Sequence, residues 1–347
     1  MLVVNSEVNV LTTNGYKPVN KLVLGDSLIS RDCGNLVTNF DISEIKVCKP
    51  IKLRKIVTEE SSICVHPNTL VLCKKVDKWT SSFIESSEVR EGDLIGLNIE
   101  RNSIEPVDMN LGIKLSVDVD DNNYVSKQYI DNSLYEKAAS DCFWWLCGMY
   151  LRYGRMNKGV AEIVVVKNPD AVISVLKELG INYYFNSNGF YHHIIIADKA
   201  VCKFFGTHMG DSYMKFVHPI FMQLPKSKLR AFVECWRSIL AVSEWKDDAY
   251  SLICENDQVA YSLQVCMEQL YGVYPIVEKD DKKQTYLTIN MNGKDSGYEP
   301  LVNTETEQFW TKITEISDME CTNSIEITCI NAEKNDAVCY VNNFVLR

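Results

Sequence analysis

The chain has 347 residues, 46% of them hydrophobic and 24% charged, which is enough for about two globular domains with an ample core. Its net charge of −10 argues against strong nonspecific nucleic-acid binding, because such binding needs a basic face. No stretch approaches the roughly 18 consecutive apolar residues of a membrane span. The 13 cysteines are scattered without a C-x-x-C pair, which indicates reduced core thiols of a cytoplasmic protein rather than disulfides or zinc ligands.

Residues 1–105 predict short strands separated by turns. Val8–Val19 is typical of a hairpin with an Asn-Gly turn. Leu22–Ser30 and Glu88–Leu97 each place a Gly-Asp turn before an apolar strand, and Ile63–Cys73 alternates about a Pro-Asn turn. Because no convincing helix is indicated, we expect this part to be all-β.

The middle of the chain changes in character. Residues 106–135 are polar and rich in Asp and Asn, which predicts a linker. In residues 136–300 the order helix, strand, helix, hairpin occurs twice at a spacing of roughly ninety residues. The two copies cover about 136–210 and 224–292, so we predict a duplicated α/β domain.

Residues 301–347 return to strand patterns. Ser324–Arg347 alternates on both sides of a turn predicted at Glu333–Asp336. β-rich segments therefore flank the duplicated block. We predict a mixed fold, in which an all-β domain is split by an inserted α/β domain of two αββαββ-like repeats.

Four blocks of the β-rich segments resemble the Hint domain of inteins. Val10–Ser30 (VLTTNGYKPVNKLVLGDSLIS) is similar to the family's T-x-x-G and I-x-x-L-x-x-G-D-x-V-x-S elements. Ile63–Leu72 (ICVHPNTLVL) is similar to its T-x-x-H-P-x-x-V block, and Val89–Leu97 (VREGDLIGL) to its L-x-x-G-D element. Ser324–Arg347 resembles the C-terminal blocks. The resemblance implies a horseshoe-like all-β Hint domain built from residues 1–105 and 301–347.

The same resemblance implies positions for the residues of protein splicing. The nucleophile position falls at Val3, which has no nucleophilic atom. His66 matches the block histidine, but Ile63 replaces its threonine partner, and Arg347 stands in place of the penultimate histidine. We expect splicing to be lost and His66 to be a structural turn residue. Residual autoprocessing through the nearby Ser6 stays open as an alternative.

Two segments of the inserted block resemble the signature helices of LAGLIDADG (DOD-type) homing endonucleases. They are Leu146–Gly154 (LCGMYLRYG) and Phe232–Ala241 (FVECWRSILA). In that family the two helices pack side by side, and small residues at the crossing let the backbones approach. The resemblance places Gly148 and Cys235 at this interface. It implies that residues 136–300 form an endonuclease-like pseudo-dimer.

The family's catalytic acids end each signature helix and hold a divalent metal at the scissile phosphates. Their positions here are Tyr153 and Leu240. Neither side chain ligates Mg²⁺ at neutral pH, because a phenol has a pKa near 10 and an alkyl chain has no ligand atom. We expect no intact catalytic residue, no metal and no cofactor. Mg²⁺ is expected only if nuclease activity survives.

The favoured hypothesis is a pseudoenzyme derived from an intein and a homing endonuclease, kept as a structural or protein-interaction module. Exposed aromatic residues predicted on one hairpin would suit a protein partner; they are Tyr183, Tyr184, Phe190 and Tyr191. A viral or phage origin would place the protein in the host cytosol or the virion. No membrane partner is expected.

The alternative is a sequence-specific DNA-binding protein or an active DOD-type homing endonuclease. Substitute acids would be Glu244, Asp247 and Asp248, just beyond the second helix. Residues 101–300 hold 21 basic against 25 acidic side chains. This balance disfavours duplex DNA as a partner, because a DNA-binding saddle should be basic.

Overall fold

The computed structural model describes residues 2–31, 37–49, 51–76, 80–97, 111, 114–117, 127–130, 133–166, 169–211, 214–238, 249–272, 274–290, 309–329 and 338–347. The chain forms two compact units, residues 1–101 with 243–347, and residues 102–242. None of the described helices is long and apolar enough to cross a membrane.

Most of the described structure is β-sheet. The strands are β1 (Leu2–Asn5), β2 (Asn9–Thr12), β3 (Gly15–Pro18), β4 (Ser27–Arg31), β5 (Val37–Val47), β6 (Ile51–Thr58), β7 (Ser62–Val65), β8 (Leu70–Lys74), β9 (Ser81–Glu85), β10 (Leu94–Leu97), β11 (Lys114–Val117), β12 (Lys127–Ile130), β13 (Gly154–Asn157), β14 (Val160–Val165), β15 (Tyr183–Ser187), β16 (His192–Ile196), β17 (Ala249–Cys254), β18 (Ile276–Lys279), β19 (Thr285–Asn290), β20 (Phe309–Cys321), β21 (Ser324–Cys329), β22 (Cys339–Val341) and β23 (Phe344–Leu346). The helices are α1 (Ser133–Ala139), α2 (Asp141–Tyr153), α3 (Pro169–Glu178), α4 (Lys199–Met209), α5 (Lys226–Ser238) and α6 (Asp257–Tyr271). The fold is therefore mixed, as predicted.

The first unit is built on one sheet that takes strands from both ends of the chain. Strand β1 lies between β7 and β21, with Leu2 opposite Ile327 and Val4 opposite Val65. Strand β10 pairs with β20 on one side and with β8 and β23 on the other, so the order of strands closes on itself. Strands from residues 2–97 and 309–346 therefore share one sheet and one core, as a β domain split by an insertion requires.

The predicted Val8–Val19 hairpin, formed by β2 and β3, and the two Gly-Asp turns of the first part are confirmed. Gly25 and Gly92 have φ angles of +99° and +90°, a region that favours glycine because it has no Cβ. Each turn is followed by the predicted strand, β4 or β10. Beyond the turn predicted at Glu333–Asp336, the C-terminal segment differs from the single alternating strand that was predicted there. It turns at Asn342 and Asn343, with φ of +46° and +68°, and forms the β22–β23 pair. The turn predicted at Glu333–Asp336 lies outside the described residues.

Helix α6 is anchored on the sheet of the first unit. The Asn343 amide donates to the Gln264 Oε1 at 2.7 Å and to the Tyr261 carbonyl at 3.1 Å. The Tyr16 hydroxyl donates to the Asn343 Oδ1, and the Gln258 amide donates to the Tyr16 carbonyl at 2.5 Å. These bonds satisfy buried polar groups, so they hold α6 to the strands β3 and β23.

The second predicted repeat is divided between the two units. Helix α5 lies in the second unit, whereas the helix α6 and the sheet β17-β19-β18 lie in the first. Strands β18 and β19 form the hairpin predicted for this copy, and α6 is capped by Gly272 in the left-handed conformation, which favours glycine. The endonuclease-like domain boundaries of 136 and 300 remain a prediction.

The second unit carries the first predicted repeat. Helix α2 begins after its N-cap Ser140, whose hydroxyl accepts from the Cys142 N–H at 3.2 Å. Strands β13-β14-β16-β15 form one sheet, in which β15 and β16 are the predicted hairpin. Strand β13 was not predicted, because its four residues lack a strand pattern and depend on pairing with β14. Within the predicted linker, β11 and β12 pair and α1 begins.

Aromatic side chains fill the core of the second unit. Trp144 packs edge-on against Phe204 and Phe221, and Phe143 against Phe204. His208 lies fully inside this group, stacked on Phe204 with ring centroids 4.4 Å apart. Its ring Nδ1 lies 3.1 Å from the Phe204 carbonyl oxygen. Because burial disfavours the charged ring, the pKa of His208 is lowered to about 4.

We expect His208 to make the stability of the second unit depend on pH. The pKa is lower in the folded chain (about 4) than its ordinary value of 6.5. Between these values the unfolded chain binds a proton that the folded chain does not, so stability is full above pH 6.5 and falls as the pH drops toward 4. Below pH 4 the free energy of unfolding is lower by roughly 3 kcal/mol than it is above pH 6.5. Urea unfolding from pH 4.5 to 7.5 should show a smaller pH slope for His208→Gln than for the wild type.

The matched control for this measurement is Val172→Ala, which truncates a buried side chain on α3 of the same unit. It lowers the free energy of unfolding through lost packing but adds or removes no titrating group. Its pH slope should equal that of the wild type. An unchanged slope in His208→Gln would show that another group governs the acid sensitivity.

Candidate functional site

Helices α2 and α5 cross in backbone contact at Gly148. A Cβ placed on Gly148 would lie 2.5 Å from the Phe232 carbonyl oxygen and 3.0 Å from the Cys235 Cβ. Real side chains do not tolerate such distances to backbone, so only glycine fits at this position. The structure thus brings Gly148 and Cys235, the two residues predicted at the helix interface, face to face.

The thiols at this crossing are packing groups. Cys147 and Cys235 are buried, and burial raises the pKa of each thiol well above its usual range. A neutral buried thiol behaves as a small hydrophobic side chain. We infer that Cys235 serves the close approach of the helices and not a reaction.

The second motif glycine, Gly154, is required by its own helix. A Cβ there would collide with the Tyr150 ring and carbonyl. The Tyr150 ring is fixed by stacking on Phe205 at 4.3 Å, by the Lys215 Nζ 3.6 Å above it, and by its hydroxyl, which donates to the Gly210 carbonyl at 2.9 Å. Both glycines of the L-x-G-x-x-x-x-x-G pattern therefore have a steric role.

The acid position of α2 holds a tyrosine at the end of the helix. Tyr153 is its last residue and is partly exposed, before the chain enters β13. Leu240, the second acid position, lies outside the described residues, as do Glu244, Asp247 and Asp248. Among the side chains that the structure describes, no three His, Cys, Asp or Glu residues gather as metal ligands.

The open face of the β13-β14-β16-β15 sheet carries a charged network at its centre. The Arg155 Nε donates to the Glu162 Oε2 at 2.5 Å, and the His193 Nδ1 lies 2.6 Å from the Glu162 Oε1. The Arg155 hydrogen bond is the largest influence that lowers the pKa of the Glu162 carboxyl, with His193 adding to it. Glu162 is therefore ionised, and its charge offsets that of the neighbouring guanidinium.

Around this network the side chains of the sheet alternate in direction. Ala161, Ile163 and Ile194 point toward the helices, whereas Glu162 and His193 point the other way, and Glu162 is nevertheless buried at 9% exposure. Glu162 was not among the predicted site residues, because its strand was recognised only by its apolar residues. The available signal was a single acid within the apolar run Gly159–Val166, where alternation puts it on the face opposite Ala161 and Ile163.

The splicing positions lie in the sheet of the first unit. Val3 is buried on β1 in an apolar cluster with Leu53 and Cys321. Its carbonyl accepts from the His66 N–H at 3.0 Å, so the structure brings these two positions together. Ile63 is buried in the core of the sheet on β7. The first-residue position thus presents only a buried hydrocarbon side chain.

Hydrogen bonds that involve the backbone hold both His66 and Arg347 in place. The His66 Nδ1 accepts from the Asn68 N–H at 3.2 Å, and its carbonyl accepts from Thr69 within the turn between β7 and β8. Arg347 exchanges two backbone hydrogen bonds with Leu70, at 2.8 and 3.2 Å. These contacts fit a turn role for His66 and a strand-pairing role for Arg347.

We predict opposite effects for one substitution at two helix glycines. Gly148→Ala should lower the free energy of unfolding by roughly 1–3 kcal/mol, because α2 and α5 must separate to admit the methyl group. Gly206→Ala, in the middle of α4, should be neutral or raise it by up to about 1 kcal/mol, because its Cβ would meet only the Met156 Cε at 3.5 Å. Urea unfolding of both variants checks this, and a shift of the same sign and size in both would disprove the close crossing.

Comparison with known proteins finds no matching family model and no matching curated protein. Among solved structures, full-length DUF199/WhiA from Thermatoga maritima is 8% identical, with a TM-score of 0.31, over 44% of this chain and 51% of that chain. The chain thus spans about half the length of that protein. The I-DmoI complex with DNA and Mn is 12% identical, with a TM-score of 0.34, over 45% of this chain and 93% of that chain.

An Ssp DnaB mini-intein variant is also similar, at 12% identity and a TM-score of 0.25, over 30% of this chain and 65% of that chain. The N-terminal domain of DUF199/WhiA is described as a LAGLIDADG domain, and I-DmoI as a homing endonuclease. Each TM-score is below 0.5, so these likenesses establish no family. The structural neighbours of this chain nevertheless include LAGLIDADG proteins, a homing endonuclease and an intein, at low similarity.

Proposed function

We propose that this chain is a pseudoenzyme, a Hint domain interrupted by a LAGLIDADG-like domain in which both activities have been lost. In this proposal it persists as a structural or protein-interaction module. The observation that carries the proposal is the crossing of α2 and α5. Its packing glycine Gly148 is kept at contact distance, while the position of the catalytic acid holds Tyr153.

The chemistry of Tyr153 supports the loss of nuclease activity. Divalent metals at phosphates take carboxylate and carbonyl oxygens as ligands. A phenol with a pKa near 10 stays protonated at neutral pH and does not replace a carboxylate. A helix that needs the acid for catalysis would keep it together with the glycine, whereas a helix that only packs needs the glycine alone.

The open face of the sheet supports the loss of DNA binding. A duplex-binding sheet places cationic side chains toward the phosphates. Here the central cation, Arg155, is engaged by Glu162, which accepts from it at 2.5 Å and also contacts His193. This short charge-assisted hydrogen bond brings a carboxylate against the guanidinium, which offsets its positive charge and weakens its attraction for a phosphate.

The buried hydrocarbon at Val3 supports the loss of splicing. An acyl shift needs a thiol or hydroxyl at that position to attack the preceding carbonyl. Val3 instead packs its side chain into the sheet beside Leu53 and Cys321. The position has become part of the core, so this proposal assigns the first unit a scaffold role.

A fluorescence-anisotropy titration with duplex DNA over a salt series tests the proposal, together with a plasmid-cleavage assay in Mg²⁺ and Mn²⁺. We expect no cleavage, and binding weaker than roughly 10 µM at physiological salt, as for nonspecific contacts. The acidic balance of the chain and the engaged Arg155 are the physical reasons.

The pair Glu162→Gln and Glu59→Gln provides the matched control. Each variant removes one negative charge, but only Glu162 contacts Arg155 on the open sheet face; Glu59 is an exposed residue of the first unit. A DNA role at the sheet would make Glu162→Gln bind more tightly than Glu59→Gln, with a steeper salt dependence. Tight, steeply salt-dependent binding or metal-dependent cleavage by the wild type would overturn the proposal.

A further inference from the structure

The exposed aromatic side chains of the described residues lie together on one hairpin. Tyr184 and Phe185 are on β15, and Phe190 and Tyr191 follow the turn that leads to β16. Tyr184 is 69% exposed and Phe190 is 80% exposed. Tyr184 and Phe185 are successive residues of β15 and lie on opposite faces of the sheet, so both faces next to this strand expose an aromatic side chain. Single exposed apolar residues are common, but several large aromatics on one hairpin indicate an interaction surface.

This hairpin also forms an edge of its sheet. Among the described strands β15 pairs only with β16. The Ala197 N–H donates to the Asn182 carbonyl at 2.8 Å, and the Asn188 N–H donates to the Tyr191 carbonyl at 3.2 Å. Hydrogen-bonded pairs alternate along an antiparallel ladder, so Tyr184 and Asn186 direct their amides at β16. The backbone groups of Tyr183, Phe185 and Ser187 consequently face outward.

The edge lacks the residues that usually prevent strand pairing. Natural edges carry charges, proline or bulges that deter another strand. Asn182–His193 contains no Asp, Glu, Lys, Arg or Pro. The register of β15 with β16 runs without a bulge from Tyr183 to Ser187. The edge is therefore a straight, uncharged strand that can accept a further strand.

We propose that the β15 edge pairs with the same edge of a second copy of this chain. Two identical copies bring like residues together at a two-fold axis. If the edge were charged, two copies of it would repel each other. If the edge bound a charged partner, we would expect it to carry charges of the opposite sign. The chain has a net charge of −10, yet this segment carries none of that charge. An uncharged edge on an acidic protein therefore favours pairing with the same edge of a second copy over binding of a charged partner.

Phe185 is the middle of the three residues whose backbone groups face outward, so a pairing centred on it uses all three. Antiparallel strands centred on Phe185 place Tyr183 of each copy opposite Ser187 of the other. The two Phe185 side chains then face each other across the axis, and aromatic cross-strand pairs stabilise such contacts. The two four-stranded sheets join into one sheet. This inference does not depend on the loss of nuclease or splicing activity.

Sedimentation velocity of the full chain over a concentration series tests the proposal. The wild type should show a concentration-dependent dimer. Phe185→Lys should raise the dimer dissociation constant at least tenfold, because two cations would meet at the axis. Val47→Lys is the matched control, since Val47 is 79% exposed on β5 of the first unit and should leave the dimer unchanged.

A charge-swap mixture makes the test specific for a two-fold contact. Phe185→Lys and Phe185→Glu should each be monomeric alone, and mixing them should restore the dimer, because residue 185 meets only residue 185 of the other copy. Circular dichroism checks that both variants are folded. A monomeric wild type at all concentrations, a dimer unaffected by Phe185→Lys, or no dimer on mixing would each overturn the proposal.

Discussion

The first unit depends on the pairing of strands that are far apart in the chain. Strand β1 completes its hydrogen bonds only between β7 and β21, and β10 only between β20 and the strands β8 and β23. Unpaired buried backbone groups are costly, so neither terminal segment can form this sheet alone. Leu97 lies opposite Phe309, which means that the chain leaves the sheet and returns to it at neighbouring positions. The sheet accommodates the intervening residues as it would a hairpin loop, because loop-closure entropy grows slowly with length.

In the second unit, steric contacts constrain the two glycines of the Leu146–Gly154 segment. Gly148 and Gly154 are held by steric contacts, with the Phe232 carbonyl in one case and the Tyr150 ring in the other. A substitution at either glycine disturbs packing at once. Tyr153, by contrast, is partly exposed at the end of α2. The two glycines and the last residue of this helix are therefore under different packing constraints.

The sequence predicted most helices and hairpins because their signals are local. Ser140 before α2, Gly272 after α6 and the turn between β15 and β16 all act within a few residues. The sequence did not predict β13 or the turn at Asn342 and Asn343. Both depend on distant partners, β14 in one case and the α6 side chains in the other. The candidate site shows the same difference. The contact of Gly148 with α5 could be predicted from the two helix motifs. The hydrogen bond between Arg155 and Glu162 could not, because it depends on how β13 and β14 are aligned.

The anchoring of α6 changes what can be removed from this protein. The side-chain amide of Asn343, in the β22–β23 turn, donates hydrogen bonds to Gln264 and to the Tyr261 carbonyl. Tyr274 lies within the core of the sheet. A shortened chain that joined β10 directly to β20 would leave these buried polar groups without partners and open a void beside them. The smallest self-sufficient version of the β unit therefore retains α6 and its neighbouring strands. These hydrogen bonds, and not the repeats in the sequence, determine which segments must be kept together.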